Sequence, residues 1–292
     1  MKVSIICPTF NGSDLLKKSL NAILNQKFDQ SYEIIFVDSS SNDGTTEFLN
    51  AQSEIHENIH LYKINQSEFE HGKTRNFAIS KSSAEFILLL TQDAIPANDY
   101  WLATMVDTLE NNNIAGVFGR HIAHKNHPKL LHRDIDNHFN KMSKFPIRKI
   151  ENWDICKNTI SLRQTLHFFS NNNSGLRRSV WEKIPFPNVN FGEDQTWAQK
   201  IIESGFSIAY QPDSIVYHSH NFSFKNLIKR RATEIQYFKK EFGYNLKTAN
   251  RKIIPVLFKS FTKDFLWLYK TKQLNQKEIF YSLKKNMSLI SF

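Results

Sequence analysis

Four acids and two histidines occupy positions suited to chemistry rather than packing. Asp93 follows the apolar run Phe86–Leu90, so a buried strand would present its carboxylate at the strand end. A hard cation such as Mg2+ or Mn2+ needs few protein carboxylates when phosphate oxygens complete its shell. Asp93 can be that carboxylate, or it can cap a helix before Asn98. Gly192-Glu193-Asp194 precedes a helical pattern containing Trp197, Ile201 and Ile202. Two acids in a first turn suit the helix dipole. They suit equally a general base that takes the proton from an attacking hydroxyl, and the local pattern leaves both readings open. His218-Ser219-His220 ends a strand pattern, and alternation puts both imidazoles on one face, a spacing for a metal or diphosphate contact. Asp38, in VDSSSNDGT, either caps the next helix or meets a ligand.

These residues need a scaffold that gathers strand ends. Short apolar runs at Val3–Cys7, Glu33–Val37, Ile59–Ile64, Phe86–Leu90 and Ile114–Phe118 alternate with helical patterns. Ser13–Gln26 places Leu15, Leu16, Leu20, Ile23 and Leu24 on one face. Thr45–Ala51, Lys73–Ser80 and Tyr100–Leu109 are shorter helices. This order predicts an α/β fold with a mainly parallel sheet flanked by helices. Ligands of such sheets collect beyond the C-terminal strand ends. Polar residues accumulate there: Pro8-Thr9-Phe10-Asn11, Asp38, Glu70–Asn76 and Thr91-Gln92-Asp93. Residues 124–165 lack periodicity and read as a long loop or irregular helical insert. Gln195–Ser204 and Lys225–Phe242 read as helices, and Ser207–Tyr210 and Ile215–Tyr217 as two strands. Asn171–Gly175 reads as an acceptor-side loop or a turn-rich connector.

Several classes are excluded by what is missing. Gly-x-Gly-x-x-Gly is absent, as is the Gly-x-x-x-x-Gly-Lys-Ser/Thr phosphate loop. Phosphate would then be held by a divalent metal and basic side chains. A nucleotidyltransferase would carry a glycine-rich basic signature near the N-terminus, which CPTFNGSDLLKK lacks. A non-catalytic sugar-nucleotide-binding module would have no need of Asp93 and Glu193-Asp194. The two cysteines, Cys7 and Cys156, form no disulfide framework or zinc spacing. No apolar run approaches the ~20 residues of a membrane span, and the expected location is cytoplasmic.

Charge divides the 292 residues. Residues 225–292 hold 16 Lys/Arg against 4 Asp/Glu, a balance of +12, while residues 1–224 balance at −2. The expected domains are therefore 1–224, carrying the chemistry, and 225–292, a basic amphipathic helical tail. In the tail Ile254, Leu257, Phe258, Phe261, Phe265 and Leu268 recur at helical spacing, with Lys259, Thr262 and Lys263 elsewhere. No nucleic-acid motif accompanies the cations. The pattern suits peripheral contact with an anionic membrane, at the inner face of the cell membrane, or a helix packed on the catalytic domain or in a homodimer.

In combination, the motifs resemble glycosyltransferase family 2, inverting enzymes of the GT-A fold. The carriers are VSIICPTFNG at 3–12, IIFVDSSSNDGT at 34–45, TQDA at 91–94 and NFGEDQTWAQKIIESGFSIAYQPDSIVYHSH at 190–220, covering residues 1 to about 240. FEHGKTRN at 69–76 and LLTQDAIP at 89–96 look most like bacterial rhamnosyltransferases, which take dTDP-L-rhamnose and build surface polysaccharides such as O-antigens. The resemblance implies a nucleotide-sugar donor, a saccharide or lipid-linked acceptor, and Mg2+ or Mn2+. A UDP-hexose or UDP-N-acetylhexosamine donor is the alternative. It implies donor contacts from Pro8, Thr9, Asn11, Asp38, His71, Lys73, Arg75 and Gln92, with Thr9 and Asp38 at base and ribose. It assigns metal binding to Asp93 with His218 or His220, and catalysis to the Glu193-Asp194 pair with Asp194 as base. One departure stands out: Asp-x-Asp reads Thr91-Gln92-Asp93, so its first acid is missing.

Overall fold

Apolar runs separated by helical segments give a nine-stranded sheet in the computed structural model, which describes residues 1–189, 191–244 and 253–288. The strands are β1 (Val3–Thr9), β2 (Tyr32–Asp38), β3 (Ile59–Lys63), β4 (Phe86–Leu90), β5 (Ile95–Pro96), β6 (Ile114–Ile122), β7 (Ile147–Arg148), β8 (Asn173–Arg177) and β9 (Ser207–Tyr217). The order is β3-β2-β1-β4-β8-β6-β9-β5, with β7 also on β9. β3, β2, β1 and β4 run parallel, and β8 joins antiparallel to β4 and β6. The helices are α1 (Ser13–Leu24), α2 (Thr45–Ile55), α3 (His71–Ser80), α4 (Trp101–Glu110), α5 (Lys129–Met142), α6 (Trp153–Asn158), α7 (Ile160–Leu166), α8 (Arg178–Trp181), α9 (Glu193–Glu203), α10 (Phe224–Phe242), α11 (Ile253–Lys270) and α12 (Gln276–Met287).

The parallel strands are apolar on both faces because helices cover both. Every residue of β4, FILLL, is buried. α1 packs Leu16, Leu20 and Ile23 into this core, and α4 packs Trp101, Leu102, Met105, Val106 and Leu109. Each fully buried aliphatic side chain contributes about 1.5–3 kcal/mol, so the strand ends that carry polar residues are firmly based.

The chain divides into two compact units: residues 1–121 with 139–218, and residues 122–138 with 219–292. The expected boundary at 224/225 therefore moves to 218/219, and the second unit recruits 122–138. Within it, Asp264 is buried and accepts from Arg133 at 2.6 Å, Ser282 at 2.8 Å and Asn286 at 3.2 Å. Burial works to raise this carboxyl, but its bonds to Lys285, Arg133 and Ser282 hold it below the usual range. Glu278 accepts the backbone N–H groups of Lys129 at 2.6 Å and Leu130 at 3.0 Å, capping α5 from a distant segment. The tail is thus part of a folded helical unit. Its residues 245–252 and 289–292 lie outside the described residues.

Three sequence expectations change, and for 124–165 the helical alternative is the one found, as α5, α6 and most of α7. α5 has few buried apolar residues and a cap supplied by Glu278, so local periodicity could not announce it. Ser207–Tyr217 is one strand rather than two. Pro212 and Asp213 are exposed at its middle, where a missing N–H is tolerated. Asn173–Arg177 is a strand in mid-sheet rather than a loop: Asn173 accepts from the Trp101 indole at 2.8 Å and donates to the Ser214 carbonyl at 2.9 Å. Finally, the apolar stripe of α11 splits. Leu268 is buried and Leu257 and Phe261 half-buried, in line with buried Asp264, whereas Phe258 and Phe265 are exposed.

Candidate active site

The first unit contains a cleft of about 500 Å³ above the C-terminal ends of β1 and β4. Pro8, Thr9 and Asn11 line it from β1 and the following turn, His71 and Arg75 from α3, and Thr91, Gln92 and Asp93 from the end of β4. Parallel neighbours β1 and β4 end side by side, which brings together residues more than 80 positions apart.

The turn after β1 is built by side chains that sequence reasoning assigned to the ligand. Gln92 clamps the backbone of Phe10: its Oε1 accepts the Phe10 N–H at 2.9 Å and its Nε2 donates to the Phe10 carbonyl at 2.9 Å. A Cβ on Gly12 would strike the Gln92 amide and push it off the Phe10 backbone. Asn11 sits at φ 47° and accepts the Asn42 N–H at 2.9 Å, tying the turns after β1 and β2 together. Asp38 is fully buried. Its carboxylate accepts from Thr9 at 3.0 Å, Ser41 Oγ at 2.6 Å, the Ser41 N–H at 3.0 Å and Thr46 at 2.7 Å. These bonds tie the ends of β1 and β2 to the start of α2, which is headed by Gly44. Lys73 stands exposed on α3, outside the residues that line the cleft, with its charge acting on Glu68.

Arg75 joins two halves of the site. It lines the cleft yet is only 3% exposed. One terminal nitrogen donates to Glu193 at 2.7 Å and to the His71 carbonyl at 3.3 Å. Its Nε is buried without a partner among the described residues, as is the Thr91 hydroxyl. Buried donors are normally satisfied, so these two atoms mark where a polar ligand fits. Gly72 lies in the first turn of α3. A Cβ there would strike the Pro187 carbonyl, so its smallness lets the helix approach the segment leading to Glu193.

Glu193 and Asp194 differ sharply despite adjacency. Glu193 is buried, and the oxygen that holds Arg75 also accepts from Asn171 Nδ2 at 3.1 Å. It holds Arg75 in place beside Asp194. Asp194 accepts the Gln195 N–H at 2.8 Å and the Asn171 N–H at 3.4 Å. Burial, then the charge of Glu193, pushes its carboxyl up to about 7 against the pull of Gln195, Arg75 and Asn171. The residue as a whole is half-buried, which moderates the rise. A carboxylate poised near neutral pH is what general-base chemistry requires.

Asp93 does not cap a helix, because β5 intervenes and α4 begins at Trp101. Its Oδ2 lies 3.7 Å from His218 Nε2, and the His218 ring meets His121 edge-on at 5.1 Å. His220 is exposed in the second unit, its ring stacked 5.0 Å from Phe222. The sequence assigned no role to the individual side chains of Asn171, which meets both acids, and Phe69, which lines the cleft 5.0 Å edge-on from His71. The position of Phe69 at the head of the FEHGKTRN stretch was an available signal.

Residues 4–184 match the family model for glycosyl transferase family 2. The chain is 35% identical over 227 residues to the O-antigen chain rhamnosyltransferase RfbN of Salmonella typhimurium, covering 76% of this chain and 68% of that protein. It is 33% identical over 225 residues to the O-antigen chain rhamnosyltransferase WbaN of Salmonella anatum, covering 75% and 67%. In structure it is similar to the mannosyltransferase PcManGT of Pyrobaculum calidifontis, solved in complex with GDP-Man and Mn2+. The TM-score is 0.66 at 18% identity, over 99% of this chain and 85% of that one.

Proposed function

This chain belongs to glycosyltransferase family 2, and from that membership we propose that it transfers L-rhamnose from dTDP-L-rhamnose, with inversion, to a saccharide or lipid-linked saccharide acceptor. The named activity of RfbN and WbaN supports the choice of sugar and of surface polysaccharide as product. The observation that carries the reading is the Arg75 bridge: one guanidinium lines the cleft and grips Glu193 beside the raised carboxyl of Asp194.

The chemistry is a single displacement. Asp194 takes the proton of the acceptor hydroxyl, whose oxygen bonds to the anomeric carbon. The bond from that carbon to the diphosphate oxygen breaks on the opposite face, and the nucleoside diphosphate leaves with the electron pair. The unpartnered Nε–H of Arg75 and the hydroxyl of Thr91 are available to donate to donor oxygens as negative charge develops. Phe10 and Phe69 supply aromatic surface for a base.

Asp93, which lines the cleft, and the His218 imidazole 3.7 Å from its carboxylate form a donor set that suits a divalent cation, Mn2+ or Mg2+. Asp93 and His218 would hold it, with His220 assigned from its spacing along the chain alone. Such a cation, when bound, neutralises charge on the departing diphosphate.

We further propose that α11 rests on an anionic membrane. Exposed Phe258, Phe265, Leu266 and Tyr269 alternate there with exposed Lys259, Lys263 and Lys270, the composition of an interfacial face. Among the described residues no helix is long and apolar enough to cross a membrane.

The test is a donor panel of dTDP-L-rhamnose, UDP-glucose and UDP-N-acetylglucosamine, with Mn2+, Mg2+ or EDTA, scored for nucleoside diphosphate release and product anomer by NMR. dTDP-L-rhamnose should turn over fastest, with an inverted product and loss of rate in EDTA. Preference for a UDP-sugar, or a retained anomeric configuration, would overturn the proposal.

A further inference from the structure

In the second unit, α12 is amphipathic in reverse. Its inward positions are polar: Glu278, Ser282, Asn286 and Ser288 are each 3% exposed or less. Its outward positions are apolar: Ile279, Phe280, Leu283 and Met287 are exposed, Phe280 by 66%. We propose that this outer face of α12 inserts into the headgroup–acyl boundary of an anionic bilayer, a role that rests on the reading of α11 as a membrane contact.

Polar bonds dock the inner face. Glu278 accepts the backbone N–H groups of Lys129 and Leu130 at the start of α5. Ser282 and Asn286 donate to Asp264 of α11 at 2.8 and 3.2 Å, and Lys284 donates to Asn221 at 2.7 Å. The four outward apolar side chains take no part in these bonds. At 3.6 residues per turn, Ile279, Leu283, Met287 and Phe280 fall within about 100° of one another, and no charged residue of the helix falls inside that arc. Water is a poor neighbour for such a stripe, and an exposed apolar face of this kind marks a surface that something apolar covers.

Charge points to the occupant. Lys259, Lys263, Lys270, Lys272 and Lys277 are exposed on α11, α12 and the turn between them. No acid among the described residues of this unit is exposed: Asp264 and Glu278 are buried, and Asp134, Asp136, Glu234 and Glu241 are half-buried. A second copy would set cations against cations, whereas anionic headgroups complement them. Size agrees. A helix of 12 residues is about 18 Å long. A stripe about 10 Å wide along it covers far less than the roughly 800 Å² per partner of a stable protein interface. An interfacial helix needs no such area, because its apolar face sinks only about 5–10 Å into the bilayer.

The experiment uses the full chain with vesicles of phosphatidylcholine alone or mixed with phosphatidylserine. A polarity-sensitive fluorophore attached at Phe280→Cys reports insertion, since Cys7 and Cys156 are both buried. With phosphatidylserine present its emission should rise and be quenched by shallow doxyl-labelled lipid, and with phosphatidylcholine alone it should not change. Combining Phe280→Ser with Leu283→Ser should raise the vesicle Kd by about tenfold or more. The melting temperature should stay at the wild-type value, because both side chains are exposed. Vesicle binding with an unquenched fluorophore, or a double variant whose Kd stays within about twofold of wild type, would overturn insertion of α12 while leaving α11 on the membrane. No vesicle binding at all would overturn both. A dimer in solution that the double variant dissociates would seat a second copy on α12 and overturn the bilayer as its occupant.

Discussion

Replacing Asp194 with Asn separates the proton acceptor from the fold, because Asn keeps the shape and cannot take a proton at neutral pH. Loss of a general base costs about 10²- to 10⁴-fold in rate, so transfer should collapse while donor binding, which uses the other side of Arg75, survives. The pH profile follows from the raised carboxyl. With its pKa pushed up to about 7 by burial and Glu193, wild-type kcat/KM should rise as pH climbs toward 7 and level above it. Stability moves the other way. A carboxyl whose folded pKa exceeds its unfolded value binds its proton more tightly in the fold, so its contribution is full below about pH 4 and is lost as pH rises through 7. Each unit is worth about 1.4 kcal/mol, giving about 4 kcal/mol as an upper limit; partial solvent access reduces the working figure to about 2 kcal/mol. Asn sacrifices one of two backbone hydrogen bonds, about 1 kcal/mol. Thermal melts from pH 5 to 8 should therefore show the variant slightly less stable than wild type at pH 5 and about 1 kcal/mol more stable at pH 8. Transfer above about a tenth of wild type, or a stability difference that stays constant across that range, would refute the assignment.

Other perturbations address the parts around this base. Arg75→Gln leaves Glu193 as a buried uncompensated charge and should destabilise by about 3–5 kcal/mol; adding Glu193→Gln should recover stability in denaturant melts without restoring transfer. Gly12→Ala displaces the mobile end of Gln92, so it should raise donor KM with little change in melting temperature, whereas Gly72→Ala meets the Pro187 backbone carbonyl and should cost about 1–3 kcal/mol. Reversing Lys259, Lys263 and Lys270 to Glu should abolish cosedimentation with phosphatidylserine vesicles, since each cation near an anionic surface contributes about 1 kcal/mol; unchanged vesicle binding would remove the membrane role of α11.

Much of the site was legible because it depends on local pattern. FILLL reads as a buried strand, so a carboxylate at its end, Asp93, is exposed to whatever the sheet binds. The helix behind Asp194 reads from Trp197, Ile201 and Ile202, which are buried as periodicity requires. Local pattern could not distinguish Glu193 from Asp194, because that difference comes from Arg75, 118 residues away. It could not show that Asp38 and Gln92 hold the neighbouring turns by hydrogen bonds, since both are decided by which turns end side by side. Nor could it sort the aromatics of α11 into inner and outer ones around buried Asp264.

The sequence by itself determined which segments become strands and helices, and therefore which polar residues stand at strand ends, because period and burial are properties of neighbours along the chain. Tertiary structure alone decided which acid is neutralised by an arginine and which is left to titrate near neutrality. Charges interact through space, and the spatial neighbours of Asp194 were chosen by sheet order rather than by position in the chain.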